Sequence, residues 1–236
     1  MKEIKLFCLP YAGGSADIYA RWRNYLNSSI ELCPIELPGR SKRAKDPYYK
    51  SMGEAVEDIA SFVKNETRNS DYAIFGHSMG SIITYELICK LYQMGLKLPI
   101  HVFFSGRYPP CIEKQDKNMH LLSDDELIHE AVSMGGIPEK LLKYTKLVEN
   151  AANTLRADYT ILETYGHSPH IQKFDIDISV LSGTNDELAT VEDMKYWELY
   201  TNKSCTFYTF EKGHFYLHNN AETIVKIINN TLLATE

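Results

Sequence analysis

The sequence predicts an α/β fold, a mostly parallel central sheet flanked by helices, with one helical insertion. Three observations carry this. Short apolar runs alternate with amphipathic segments at helical spacing. One run leads through a Gly-x-Ser-x-Gly turn directly into a helical segment. The alternation then fails over residues 108–170, where the chain turns helical and more polar.

Taken in order, residues 4–9 form an apolar strand that stops at Pro10, before the flexible pair Gly13-Gly14. A helix is expected over 18–26 and a second strand over 30–37, ending at Pro38-Gly39. Residues 52–65 carry a helical pattern. Ser51 stands at the cap position, with Glu54 as its capping-box partner. The strand at 72–76 and the helix at 79–93 flank the Gly-x-Ser-x-Gly turn. Strands follow at 101–105, 176–182 and 205–210, and helices at 191–200 and 221–233. Inside the insertion, Ser123-Asp124-Asp125-Glu126 reads as a helix start and Gly135-Gly136-Ile137-Pro138 as a break. One or two further helices are expected over 140–165. Side chains that do chemistry project from the carboxyl ends of parallel strands. An insertion between two such strands therefore reads as a lid, residues 108–170, within a single domain spanning 1–236.

The bulk properties narrow the class. A chain of 236 residues with 44% hydrophobic content suits one domain with a sizeable core. No stretch approaches the roughly 18 apolar residues of a membrane span. The first apolar run is too short for a secretory leader and is cut by Pro10. The five cysteines are odd in number and widely spaced, with no C-x-x-C pair, which speaks against zinc or a redox motif. A cytoplasmic, reduced setting without membrane contact is expected. The net charge of −6 argues against nucleic-acid binding.

Phe75-Gly76-His77-Ser78-Met79-Gly80 between strand and helix is the nucleophile elbow of an α/β-hydrolase, which exposes Ser78 on a strained turn. A serine hydroxyl needs a base, and the base an orienting acid, in chain order Ser, Asp, His for this fold. Asp186 follows the strand at 176–182, and His214 follows the strand at 205–210. His218 and His77 are weaker rivals for the base. His167 and His170 flank a proline without a third metal ligand, and His101, His120 and His129 have no motif. For the acid, Asp175 and Asp177 lie at the wrong end of their strand. Glu187, Glu192 and Asp193 are expected to enter the next helix. Two backbone donors are needed for the oxyanion. Met79 supplies one. Ala12, in the loop Leu9-Pro10-Tyr11-Ala12-Gly13-Gly14-Ser15, supplies the other, to within one residue. A nucleotide loop is disfavoured there, since both G-x-G-x-x-G and a Walker lysine are absent.

With these motifs the chain resembles the type II thioesterases of nonribosomal peptide and polyketide synthesis. The resemblance spans nearly the whole length. It rests on the 9–15 loop, Glu36-Leu37-Pro38-Gly39-Arg40, the elbow, Leu155-Arg156-Ala157-Asp158-Tyr159, Leu162-Glu163-Thr164-Tyr165, Gly183-x-x-Asp186 and Gly213-His214-Phe215. Pro38-Gly39-Arg40 and Arg156-Ala157-Asp158 separate it from generic lipases and esterases. Tyr11, Lys212 and Ser41-Lys42-Arg43 depart from the usual pattern without touching Ser78, Asp186 or His214. The resemblance implies an editing hydrolase that removes acyl groups from the phosphopantetheine arm of acyl or peptidyl carrier proteins. It implies no cofactor of its own, since the substrate carries the phosphopantetheine, and a monomer is expected. Medium-chain fatty acyl thioesterase, carboxylesterase, acyltransferase and a non-enzymatic binding module remain as alternatives. The basic run Arg40-Ser41-Lys42-Arg43-Ala44-Lys45 reads as a solvated loop or as a docking patch for an acidic carrier, with Arg40 bonding loop carbonyls. Met119, Leu121, Leu122, Met134, Ile137, Leu141 and Leu142 are divided between lid core and acyl pocket.

Overall fold

The computed structural model describes residues 3–68, 70–114, 118–166 and 171–234. Six strands form one sheet: β1 (Ile4–Leu9), β2 (Ile30–Pro34), β3 (Asp71–His77), β4 (His101–Ser105), β5 (Asp177–Gly183) and β6 (Cys205–Phe210). Their order is β2-β1-β3-β4-β5-β6, and every neighbouring pair is parallel. Among the described residues six α-helices accompany them: α1 (Met52–Glu66), α2 (Met79–Gln93), α3 (Asp124–Ser133), α4 (Thr145–Glu163), α5 (Val191–Met194) and α6 (Ala221–Leu233).

The apolar runs are continuous because both faces of the sheet are covered. Leu6, Cys8, Phe75 and Phe103 pack on one face with Trp22 and the Ile224, Val225 and Ile228 stripe of α6. Phe7, Leu9, Tyr72 and Ile74 pack on the other with α1 and α2. Val102, Phe104, Ile178 and Val180 pack with Trp197. The chain adds β2 on one side of β1 and β3 on the other, so the strand order reverses between β1 and β3, which pair with Leu9 opposite Gly76. The loops that follow these two strands therefore lie side by side, at the switch point where parallel sheets open a crevice.

Some boundaries move. β2 stops at Pro34, not 37: the Ile35 amide makes the last bond, to the Cys8 carbonyl (2.9 Å), before β1 turns at Pro10. The segment expected as a helix over 18–26 is a 3-10 helix, Ala16–Asn24. The segment at 191–200 starts as α5 and tightens into 3-10 turns over Lys195–Tyr200. Ser51 accepts from the Glu54 amide (3.2 Å), but the Glu54 carboxylate reaches the Lys50 amide (2.8 Å), so the box is only half closed. Ser123 and Glu126 close theirs fully at the start of α3.

The chain between β4 and β5 carries α3 and α4, preceded by 3-10 turns at Met119–Leu121 and Glu139–Leu141. This segment has its own apolar cluster of Met119, Leu127, Ile128, Ala131, Ala152 and Leu155. Leu122, Met134 and Ile137 pack against that cluster, whereas Leu121 and Leu142 are exposed. No helix among the described residues is long and apolar enough to cross a membrane.

Candidate active site

Ser78 joins β3 to α2 with φ +55° and ψ −118°, a strained backbone for a residue with a side chain. The turn is possible because Gly76 and Gly80, two residues to either side, lack side chains. A Cβ on Gly76 would lie 2.3 Å from the Gly80 carbonyl oxygen, and one on Gly80 would lie 2.3 Å from the Leu9 carbonyl oxygen. The Ser78 amide donates to the Ser105 carbonyl at 2.7 Å. Met79 opens α2, so its amide has no acceptor within the helix.

The structure brings Ser78, His214 and Asp186 together. His214 Nε2 is 3.0 Å from Ser78 Oγ, and His214 Nδ1 is 2.8 Å from Asp186 Oδ2. Asp186 is buried, and its Oδ1 accepts the Leu188 (3.0 Å) and Ala189 (3.1 Å) amides. Those bonds aim the other oxygen at the imidazole. Nδ1–H then donates to Asp186, and the Nε2 lone pair faces the serine hydroxyl. The Asp186 and His214 loops are laced together. Thr184 donates its amide to the Phe210 carbonyl (2.8 Å) and Asn185 donates to the Lys212 carbonyl (3.1 Å). The backbones approach so closely that a Cβ on Gly183 would sit 2.3 Å from the Lys212 oxygen.

Ala12 lines the same cavity of about 250 Å³ as Ser78 and His214. It occupies a turn closed by the Gly14 amide on the Tyr11 carbonyl (2.9 Å), with Gly13 at φ +80°. The Gly13 amide is taken by Asp158 Oδ2 at 2.7 Å. The amides of Gly13 and Gly14 are thus both engaged by partners outside the cavity. Tyr11, Ala12 and Phe215 also line an apolar side chamber of about 80 Å³ closed by Met134, Ile137 and Leu155. Arg107, Tyr108 and Lys114 also border the cavity.

The rival residues are occupied elsewhere. His77 is buried, with Nδ1 2.7 Å from Ser105 Oγ, which in turn bonds the Tyr216 hydroxyl. Burial, reinforced by His214 and His218, holds its imidazole well below the usual range. His218 bonds the Tyr11 hydroxyl (3.1 Å), and burial lowers its pKa. His101 bonds Ser179 Oγ (2.9 Å), and burial pushes it down to about 4. His120 pairs with Glu163 at 2.5 Å, and His129 is exposed. His167 and His170 lie outside the described residues. Asp175 and Asp177 bond Asn202 and Ser204 at the amino end of β5, away from Ser78. Glu192 bonds Lys195, and Asp193 closes a capping box with Thr190. Glu187 departs from expectation: it lies ahead of α5 and borders the Ser78 cavity. Among the described residues no cluster of three or more His, Cys, Asp or Glu could hold a metal ion.

Two residues gain partners that sequence reading missed. Arg40 does bond loop carbonyls, Pro38 (3.2 Å) and Gly14 (2.8 Å), but its main partner is Asp158, in a two-pronged contact at 2.6 and 2.7 Å. Arg43 is held by Asp46 (2.7 Å) and Asp58 (2.8 Å). The basic run is thus divided, and only Lys42 and Lys45 among its cations are exposed. The Arg-Ala-Asp motif marked Asp158, but no spacing rule connects it to Gly13.

A thioesterase-domain family model matches residues 4–232. The linear gramicidin dehydrogenase LgrE of Brevibacillus parabrevis is 33% identical over 234 residues, 98% of this chain and 88% of that protein. The crystal structure of ClbQ from the colibactin NRPS/PKS pathway matches with a TM-score of 0.93 at 31% identity, covering 98% of each chain. The type II thioesterase BorB from the borrelidin biosynthetic cluster matches with a TM-score of 0.88 at 30% identity, covering 98% of this chain and 93% of BorB.

Proposed function

The chain belongs to the thioesterase family, and from that premise we propose that it is a type II thioesterase. It hydrolyses acyl groups from the phosphopantetheine thiol of acyl or peptidyl carrier proteins. The observation that carries this reading is the Ser78–His214–Asp186 relay, opening into a cavity with an apolar chamber on one side. Hydride transfer, the activity in the name of LgrE, has no nucleotide-binding fingerprint in the 9–15 loop.

The steps follow from the geometry. Ser78 Oγ attacks the thioester carbonyl carbon while His214 Nε2 takes the hydroxyl proton. Asp186 stabilises the imidazolium. The Met79 and Ala12 amides hold the oxyanion, where loss of one donor costs roughly a hundredfold to a thousandfold in rate. Collapse breaks the C–S bond, and His214 delivers its proton to the leaving sulfur. Water then attacks the acyl-serine, giving its proton to His214. A second collapse breaks the C–Oγ bond, returns the proton to Ser78 and releases the acid. No step calls for a cofactor of the enzyme's own. The segment containing α3 and α4 acts as the lid of the acyl chamber. Lys42 and Lys45 are the remaining cations of the basic run that can attract an acidic carrier.

The test compares matched acyl esters, small acyl thioesters and acyl-loaded carriers, with wild type and Ser78→Ala. Thioesters are expected to react faster than esters. Ser78→Ala should lower kcat by on the order of a millionfold, as for other triads that act as a unit. Full activity in Ser78→Ala would end this mechanism. Faster ester cleavage would make the protein a carboxylesterase, and acyl transfer to an added acceptor would make it an acyltransferase.

A further inference from the structure

The loop that carries Ala12 is clamped from the far side of the cavity. Asp158 Oδ2 accepts both the Gly13 amide (2.7 Å) and Arg40 Nη1 (2.7 Å), while Oδ1 accepts Arg40 Nη2 (2.6 Å). Arg40 Nη1 also donates to the Gly14 carbonyl at 2.8 Å. Both charged side chains are almost wholly buried, 7% and 5% exposed. Leu155, one turn before Asp158 on α4, presses on the same loop, so that a Cβ on Gly13 would meet its Cδ2 at 2.6 Å. Thr154 bonds the Tyr48 hydroxyl (3.1 Å), which also bonds the Gly39 carbonyl (3.3 Å). One face of α4 therefore grips both the loop after β1 and the Pro38-Gly39-Arg40 turn.

We propose that Asp158 is a positioning residue for the oxyanion site, with Arg40 as its counter-ion. It fixes the direction of the Ala12–Gly13 peptide and, through Arg40, the Gly14 carbonyl. The turn is thereby held on its C-terminal side, while Tyr19 holds the N-terminal side by donating to the Leu9 carbonyl (2.7 Å). The Ala12 amide is left facing the cavity. The competence of the oxyanion site thus depends on α4 being seated. This rests on the proposed role of the Ala12 amide. Stability alone is a poor reason for such a pair, because desolvation offsets much of the attraction between buried charges.

The experiment separates the acceptor from the charge. Arg40→Met/Asp158→Leu removes both charges and leaves the Gly13 amide without an acceptor. Arg40→Met/Asp158→Asn removes the charges but keeps an acceptor oxygen. Both are melted, then assayed on a small acyl thioester. In Arg40→Met/Asp158→Leu, kcat should fall about 10–100-fold with KM within about threefold of wild type, the signature of an interaction made mainly in the transition state. Arg40→Met/Asp158→Asn should recover most of kcat. Equal kcat in two folded variants, or a loss confined to KM, overturns the proposal. If the leucine variant does not fold, Arg40→Met/Asp158→Ala replaces it in the same comparison. Ser78→Ala, run alongside, keeps the two readings apart: activity there overturns the serine mechanism, whatever the Asp158 pair shows.

Discussion

Ser78 and Ala12 face one cavity, yet their backbones are held in opposite ways. The elbow is held by the sheet itself. Gly76, Gly80 and the Leu9 carbonyl lie in near contact, and the single Ser81 hydroxyl proton is within reach of both the Gly76 (2.8 Å) and Ser105 (3.0 Å) carbonyls. The Ala12 turn is held largely by side chains from elsewhere, Asp158 and Leu155 of α4 and Arg40 of the loop after β2. Half of the proposed oxyanion site, the Met79 side, is thus built into the core, and the other half, the Ala12 side, depends on a segment packed over it. Strain at Ser78 can persist because the surrounding backbone over-determines it.

The sharpest way to break this contrast is to add one methyl group to each side. In Gly80→Ala the new Cβ meets only backbone, Leu9 O at 2.3 Å and Pro10 O at 2.9 Å, which cannot move without parting β1 from α2. A loss of roughly 3–5 kcal/mol is expected, the range of severe core strain. In Gly13→Ala the new Cβ meets the end of the Leu155 side chain, and φ is +80°. Rotation of Leu155 relieves the clash, leaving about 1–2 kcal/mol of backbone strain. Thermal melts of the two variants decide it. Equal losses would mean that both loops are equally rigid.

A second probe asks whether acid loosens the sheet side first. Burial pushes His101, paired with Ser179 on β5, down to about 4, and His77 under the elbow is lowered too. The unfolded chain takes up these protons near pH 6.5, before the folded one can. The contribution of His101 is therefore complete above about pH 6.5 and is lost progressively toward pH 4. At one proton this amounts to roughly 3 kcal/mol over the window. His101→Gln should flatten the dependence of Tm on pH between 4 and 6.5. An unchanged slope would assign acid sensitivity to other groups.

The smallest effect is expected at the rim. Lys42→Gln/Lys45→Gln should raise KM about two- to threefold for a carrier-bound substrate and leave a small thioester unaffected, as for rim charges that steer encounter. A parallel change in both substrates would remove these lysines from docking. Arg43→Gln belongs to a different class, since it breaks intramolecular surface contacts to Asp46 and Asp58 and should act, weakly, on stability rather than on docking.

Much of the architecture was legible in advance. β1, β4, β6, α2 and α6 have the bounds that their sequence patterns indicate; in β1 and β4 pattern and burial coincide because both sheet faces are covered, whereas β6 at the sheet edge is largely exposed. The 3-10 segments were not legible. Ala16–Asn24 buries Tyr19 and Trp22, both packed on Phe75, at a three-residue spacing that suits either helix type, so the pattern alone does not distinguish them. Ser78, Asp186 and His214 could be named as a set because each follows a strand in the chain order of the fold. The binding of Gly13 by Asp158 could not be foreseen, because the two residues are 145 positions apart.

By itself, then, the sequence determined the features that local chemistry controls. These are the strand and helix rhythm, the glycines that permit the Ser78 turn, and the turns that place Asp186 and His214 after their strands. The tertiary structure alone decided which charges meet. It gave Arg40 to Asp158, gave Arg43 to Asp58, and left Lys42 and Lys45 in solvent. The physical reason is range. Periodicity and turn chemistry act over a few residues, whereas a buried charge is settled by whichever opposite charge the packed chain brings within hydrogen-bond distance.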